Sequence, residues 1–450
     1  MIRRVVLAIV ALALIALTSV GSSQSASAAD TPPGVTAEGH FDADTATASY
    51  LATMTPAARA RSDAYFEGGY WLLLWDLVIA LLLAWALLAS RLSARMRDFA
   101  ARVTRVRWAQ TALYAIQYFI LTTVVTLPWA AYEDYFREHQ YGMSNLRLTG
   151  WLGEQAKGLS ITLIFGTLAV VAIYAVIRKL SKTWWLWGAV VAIGLLMFQV
   201  AIGPTYLEPV FNKFYPLAES PLKQRILSLA RANGIPAAQV YEFDASRQTT
   251  RISAHVSGML GSARISLNDN LMNRGSPEEV EAVMAHEMGH YVLNHLYKGV
   301  WELGVLIVIG FAFVSWAFGR ATLRFGERWG FRDVADVAGL PVVVALFLVY
   351  GFALTPVFNT ITRTMETEAD AFSLNAARQP DGAAQAVLHL SEYRKMQPGP
   401  VEEVIFFNHP SGWTRIHQAM VWKAENLSAA DIVAYDALHH PPGRTGGSGQ

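Results

Sequence analysis

There is no cysteine among the 450 residues, which removes disulfides, thiolate metal sites and cysteine nucleophiles together. Charge is scarce as well: Asp, Glu, Lys and Arg make up 16% of the chain, against about 25% in a soluble domain. The charges nearly cancel, leaving +1 at pH 7, so no basic excess points to nucleic acid. In their place stand hydrophobic residues, 53% of the total. That balance makes a lipid bilayer the first partner to expect.

Uncharged runs close to the ~20 residues that span a bilayer cover 158–177, 183–203, 303–319 and 339–362. Two more, 71–90 and 111–131, are nearly as apolar, the first carrying Asp76. Asp76, Gln117 and Gln199 are expected to face protein or water rather than lipid, and Pro128 to kink or end its helix. The N-terminus is a different object. Arg3 and Arg4 precede an apolar core at 5–18, and Ala26-Ser27-Ala28 resembles a signal-peptidase site. Residues 1–28 therefore read as a cleaved signal peptide, with a retained first membrane helix as the alternative. Alanine- and arginine-rich usage suggests a bacterial cytoplasmic membrane.

Loop charge sets the expected orientation. Residues 91–107 hold six arginines and one acid; Arg178, Lys179 and Lys182 form a second basic turn, and 320–332 a third. Placing these inside puts the two long polar regions, 204–298 and 363–450, on the outer side.

The most informative pentapeptide is His286-Glu287-Met288-Gly289-His290. Positions i and i+4 share a helix face, so the two imidazoles can meet one metal ion while Glu287 stands beside it as a general base. Ser276, Pro277, Glu278 and Glu279 supply the cap, first-position proline and first-turn acids of a helix start. A hydrolytic zinc site takes three protein ligands and keeps one position open. No third histidine follows at the downstream spacing, because 293 and 296 are both leucine. His295, five residues past His290, falls on the wrong face of a continuous helix and reads as a helix-end or surface histidine. The third ligand must then be a distant acid. Glu366 and Asp370 sit i, i+4 on one face, so one can bind metal while the other holds a ligand imidazole; Glu368 competes. Upstream, 219–232 reads as a short amphipathic helix. Residues 239–243, 250–257 and 264–267 have strand-like patterning, with 258–262 as a turn, so an extended peptide can add to a sheet edge.

Several separated blocks resemble the type I CAAX prenyl protease family of integral-membrane zinc endopeptidases, and more distantly the bacterial membrane heat-shock metalloproteases. They are Leu127-Pro128 with Tyr132, Phe136, Glu138, Tyr141 and Gly142; Pro209-Val210-Phe211-Asn212-Lys213-Phe214 with Pro216 and Leu217; the run 244–250; His286, Glu287 and His290; Glu366 and Asp370; and His409-Pro410 with Arg415-Ile416. The resemblance implies Glu366 as third zinc ligand, one Zn²⁺ per chain, and His409 and Arg415 reaching into the active site to stabilise an oxyanion, with Asp370 orienting an imidazole. It also implies that Ser253, Ala254, His255, Val256 and Ser257 form the substrate strand. This chain departs from the family's Asn-Ala-Tyr there, with Ser253-Ala254-His255. It departs in topology too, because family members hold the catalytic part in the cytosol.

The expected fold is a predominantly α, polytopic membrane protein with six to seven transmembrane helices and a gluzincin-type zinc-peptidase domain carrying a small β-sheet. The expected layout is an extracytoplasmic segment at 29–70, four membrane helices in 71–203, the metallopeptidase domain at 204–298, two more helices in 299–362, its C-terminal part at 363–438 and a disordered tail at 439–450. The expected activity is zinc-dependent hydrolysis of membrane-associated or exported polypeptides. The alternatives are true CAAX processing, which removes a C-terminal tripeptide, and an inactive channel, transporter or receptor on a protease scaffold. Retention of His286, Glu287, His290 and Glu366 together argues against the last.

Overall fold

The computed structural model describes residues 41–258, 263–428 and 430–432. The expected signal peptide at 1–28 and tail at 439–450 lie outside the described residues, as does most of the turn at 258–262. Helix α1 (Ala43–Ala52) leads into α2 (Pro56–Ala89), the short α3 (Leu92–Val103), α4 (Arg107–Gln140), α5 (Leu148–Lys179) and α6 (Trp184–Phe211). Strand β1 (Phe214–Pro216), helix α7 (Pro221–Ala232), strands β2 (Val240–Phe243), β3 (Ala254–Ser257) and β4 (Arg264–Asn268), and helix α8 (Asp269–Arg274) follow. Then come α9 (Pro277–Val292), α10 (His295–Trp329), α11 (Leu340–Ala353), α12 (Thr355–Ala377), α13 (Pro380–Leu390), α14 (Pro400–Phe406) and α15 (Gly412–Asn426).

Among the described residues, α2, α4, α5, α6 and α10 are long and apolar enough to cross a membrane. A sixth span exists if α11 and α12, bent by 55° at their junction, count as one. Their outward faces carry large apolar side chains such as Trp75, Leu82, Val124, Ile164, Phe198 and Ile309, all exposed; only lipid makes such a surface stable. The inward faces meet in a cluster built on Tyr114, Tyr174, Ile177, Phe311 and Val314. Asp76 accepts from Trp129 Nε1 at 2.6 Å, as a carboxylate in such a helix must find a donor. Pro128 does not end its helix. The chain continues past it as the π-helical turns Ala131–Arg137, the widening by which a helix absorbs a missing donor.

The spans run well past their apolar cores. Helix α2 starts fifteen residues before Trp71, at Pro56, where the Thr55 side chain caps Ala58 N–H. Its extra polar turns reach the sheet-bearing part: Tyr65 bonds Glu138 at 2.6 Å and also meets Arg251. At its other end Arg91 bonds the backbone of Glu327 and Arg328. The basic turns therefore gather at one end of the bundle and the polar, sheet-bearing part at the other.

The sheet has the order β1-β2-β4-β3, with β2 and β4 parallel and the outer pairs antiparallel. Pro216 hides β1 from a pattern search. Val240, Ile265 and Leu267 from the sheet pack with Ile226 of α7 and with Val280, Met284 and Met288 of α9. Strand β3 is left at the edge, beside α9.

Candidate metal centre and active site

Helix α9 begins where its sequence signals say, with Ser276 Oγ accepting from Glu279 N–H. Two glycines decide how closely its neighbours approach. A Cβ on Gly289 would stand 3.1 Å from Phe372 Cδ1 and 3.3 Å from Ala369 Cα, so its absence lets α12 press against α9. A Cβ on Gly382 would meet Glu278 O at 2.6 Å, which brings α13 against the start of α9.

That contact brings three groups to one point. His286 Nε2 lies 3.1 Å from Glu366 Oε2 and 3.2 Å from His290 Nε2, while His290 Nε2 lies 3.6 Å from Glu366 Oε1. Hydrogen bonds behind the imidazoles determine what these atoms are. A carboxylate only accepts, so Asp370 Oδ1, 2.8 Å from His286 Nδ1, holds a proton there and leaves Nε2 to offer its lone pair to a cation, a second proton included. Glu368 Oε2 sits 2.9 Å from His295 Nε2, and His295 Nδ1 sits 2.9 Å from His290 Nδ1. The proton on His295 Nε2 then faces Glu368, His290 Nδ1–H donates to His295, and His290 Nε2 is also a lone pair. Two lone pairs and a carboxylate oxygen converge on one space, which is repulsive unless a cation lies between them.

His286, His290 and Glu366 thus form a potential metal site. Donors 2.0–2.1 Å from a tetrahedral zinc stand roughly 3.3 Å apart, which is the spacing seen. Without metal, a proton takes the cation's place. Burial alone would depress the His286 imidazolium, but the hydrogen bonds it donates to Asp370 and Glu366 outweigh it and raise its pKa to about 10. Burial also raises the Glu287 carboxyl, against the pull of His286 and His290.

Glu287 and His286 line a cavity of about 300 Å³ that Ser253 and Ala254, from the segment expected to hold substrate, also line. His255 lies further along β3, 3.4 Å from Glu208 Oε2, and Val256 packs toward the core while Ser257 ends the strand. His409 Nε2 comes within 3.2 Å of Glu366 Oε2. Burial, with the Arg394 guanidinium nearby, lowers its pKa to about 3, so it stays neutral.

Two placements differ from the sequence reading. Arg415, expected at an oxyanion, has Nε 2.8 Å from Asp370 Oδ2 and Nη2 2.6 Å from Asp370 Oδ1; a fork-on-carboxylate pair commits those donors to bracing the acid that holds His286. His295 is not a surface residue: it is 4% exposed. The continuous-helix assumption failed there, because α9 ends at Val292 with Leu293 as its cap, and Asn294 adopts a left-handed φ of 58° before α10 begins at His295. Asparagine tolerates that conformation, and it was the available signal. Glu368 does not compete for the metal; it pairs with His295 and Lys298.

The family model described as peptidase family M48 matches residues 216–423, and that described as CAAX prenyl protease N-terminal, five membrane helices, matches residues 43–213. The chain belongs to peptidase family M48. This M48 peptidase is 29% identical over 370 residues to the uncharacterized metalloprotease YhfN of Bacillus subtilis, covering 81% of this chain and 86% of the relative. It is 26% identical to CAAX prenyl protease 1 of Saccharomyces cerevisiae, over 70% of each chain. Its fold is that of the crystal structure of S. mikatae Ste24p: the TM-score is 0.71 at 22% identity, covering 82% of this chain and 89% of that one. The protein is a multi-pass membrane metallopeptidase of the CAAX-protease-like kind, and the metal its site suits is zinc.

Proposed function

We propose that the protein is an endopeptidase for membrane-associated or exported polypeptides, with His286, His290 and Glu366 holding zinc and Glu287 as general base. The observation that carries the reading is the convergence of two imidazole Nε2 atoms and a carboxylate beside Glu287. Zinc held there supplies Lewis acidity toward a water and a peptide carbonyl. Glu287 takes the proton of the attacking water and hands it to the leaving amine; its raised pKa brings it closer to the range where both transfers run. Asp370 fixes the His286 tautomer, and Arg415 fixes Asp370. His409, neutral beside Glu366, is the side chain offered to a developing oxyanion. Substrate lies extended along the edge strand from Ser253 to Ser257, where β3 pairs with β4 on one side only among the described strands. Replacing Glu287 by Gln is expected to leave bound zinc at wild-type content and to abolish peptide cleavage; a Glu287→Gln protein of full activity would remove the base from this scheme.

The catalytic part faces the outer side of a bacterial cytoplasmic membrane in this proposal, opposite the arginine-rich turns, although the family analogy favours the cytosol. The separation of Arg91 from Tyr65 at the two ends of α2 supports it through the positive-inside rule. A reporter fused within 91–107 that is active only outside the cell would reverse the orientation. The names of the S. cerevisiae relative and others of its kind favour a second reading, removal of a tripeptide after a prenylated cysteine. Cleavage of a prenylated peptide but not its unmodified twin would select it.

A further inference from the structure

The cavity beside the metal site is lined by two arginines, and they are in different states. Arg415 is committed to Asp370 through two hydrogen bonds. Arg394 has no carboxylate within ion-pair distance among the described residues. Among the described residues its side chain has one polar contact, His409 Nε2 at 3.5 Å, too long for a useful hydrogen bond. That same nitrogen lies 3.2 Å from Glu366 Oε2, so a single imidazole separates the guanidinium from the metal ligands. Burial, and then the neighbouring Arg415, works against the charge on Arg394. A half-buried guanidinium in that position is unfavourable unless an anion joins it.

The rest of the wall describes what the anion is attached to. Val283, Leu374, Ala386, Val387 and Leu390 make one side of the cavity apolar, and Ser253 and Ala254 open it onto the edge strand. A peptide paired to that edge and crossing Glu287 delivers an apolar side chain and, within one or two residues of extended chain, at roughly 3.3–3.6 Å each, a carboxylate. Planar two-point recognition of a carboxylate is what arginine does best. Resting on the peptidase reading above, we infer that Arg394 forms a substrate subsite for a peptide carboxylate located just beyond the scissile bond. The carboxylate is either the free C-terminus of the chain or an Asp or Glu side chain.

Four internally quenched peptides of one apolar sequence test this: the free acid, its C-terminal amide, and the amide with Glu or with Gln two residues after the cut. The wild type is expected to show kcat/KM about tenfold higher for free acid over amide, for Glu over Gln, or for both, the scale of one charge-assisted hydrogen bond. The first ratio marks a terminal carboxylate and the second a side chain. In Arg394→Gln the ratio falls to about one, and Arg394→Lys restores part of it. Each ratio is taken within one preparation, so loss of folded protein does not mimic the effect. Binding of the free acid and the amide to Glu287→Gln protein, read by fluorescence anisotropy, is expected to differ by the same factor and to lose that difference when Arg394→Gln is added. Equal cleavage of all four peptides by the wild type, or a preference that Arg394→Gln keeps, overturns the subsite and leaves the peptidase reading standing. Cleavage of none, with acid and amide still distinguished in binding, overturns that reading and supports the subsite.

Discussion

The pair Asp370–Arg415 allows a sharp test of how the metal ligands are held. Both side chains are about one-eighth exposed, at 12% each, and Asp370 accepts from His286 and Arg415 at once. Asp370→Asn removes the charge but keeps the shape. An amide facing both partners has one acceptor oxygen: if it accepts from His286 Nδ1–H, its NH2 points at the guanidinium. Arg415 is then a buried cation without its counter-charge, a loss of about 3–5 kcal/mol of folding stability. Weaker orientation of His286 lowers zinc affinity by roughly 10–100-fold. Arg415→Gln is expected to cost less, because Asp370 keeps the His286 bond. In the double variant the amides can pair with each other, so its cost falls short of the sum by about 1–3 kcal/mol. Denaturant melts of the detergent-solubilised protein read the stability, and competition with a zinc chelator reads the affinity. The reasoning fails if Arg415→Gln leaves melting and zinc retention untouched while kcat falls a hundredfold. That pattern would return Arg415 to the oxyanion.

The chain from His290 through His295 to Glu368 is expected to act on zinc in the same way: His295→Ala lowers affinity by roughly 10–100-fold, with His295→Gln recovering part, and unchanged chelator competition would refute the relay. In the metal-free protein the His286 pKa is raised from 6.5 to about 10. The stability from its proton is complete below pH 6.5 and drains away as pH rises toward 10. Zinc-loaded protein, with that nitrogen already engaged, is expected to show no such decline. Melting temperatures measured from pH 6 to 10 with and without chelator check this, and parallel curves would contradict it.

Which features were readable in the chain itself follows from the range of the interactions behind them. The helix start at Ser276, the i, i+4 pairing of His286 with His290, and the apolar runs all depend on neighbours within a few residues. Strands β2, β3 and β4 carried β patterning and formed near their expected positions, whereas β1, three residues ending in Pro216, carried almost none. His295 does stand at a helix end, but it is buried rather than on the surface, because one left-handed residue, Asn294, starts a new helix and turns the ring back toward His290. The i, i+4 pairing with Asp370 favoured Glu366 but left Glu368 in competition; resemblance settled the choice, and in the structure the two acids serve different histidines.

What local sequence determined, then, is the chemistry of α9 and the existence of a membrane-spanning bundle, since helix periodicity and hydropathy act over one or two turns or one bilayer thickness. Tertiary structure alone decided that Asp370 takes the Arg415 guanidinium, that Glu368 and His295 stand behind His290, and that Arg394 is left without an acid. Those outcomes depend on how closely α12 and α9 approach across Gly289 and on where the segment after α13 returns. Such distances are sums over the whole packing and are written in no single stretch of the chain.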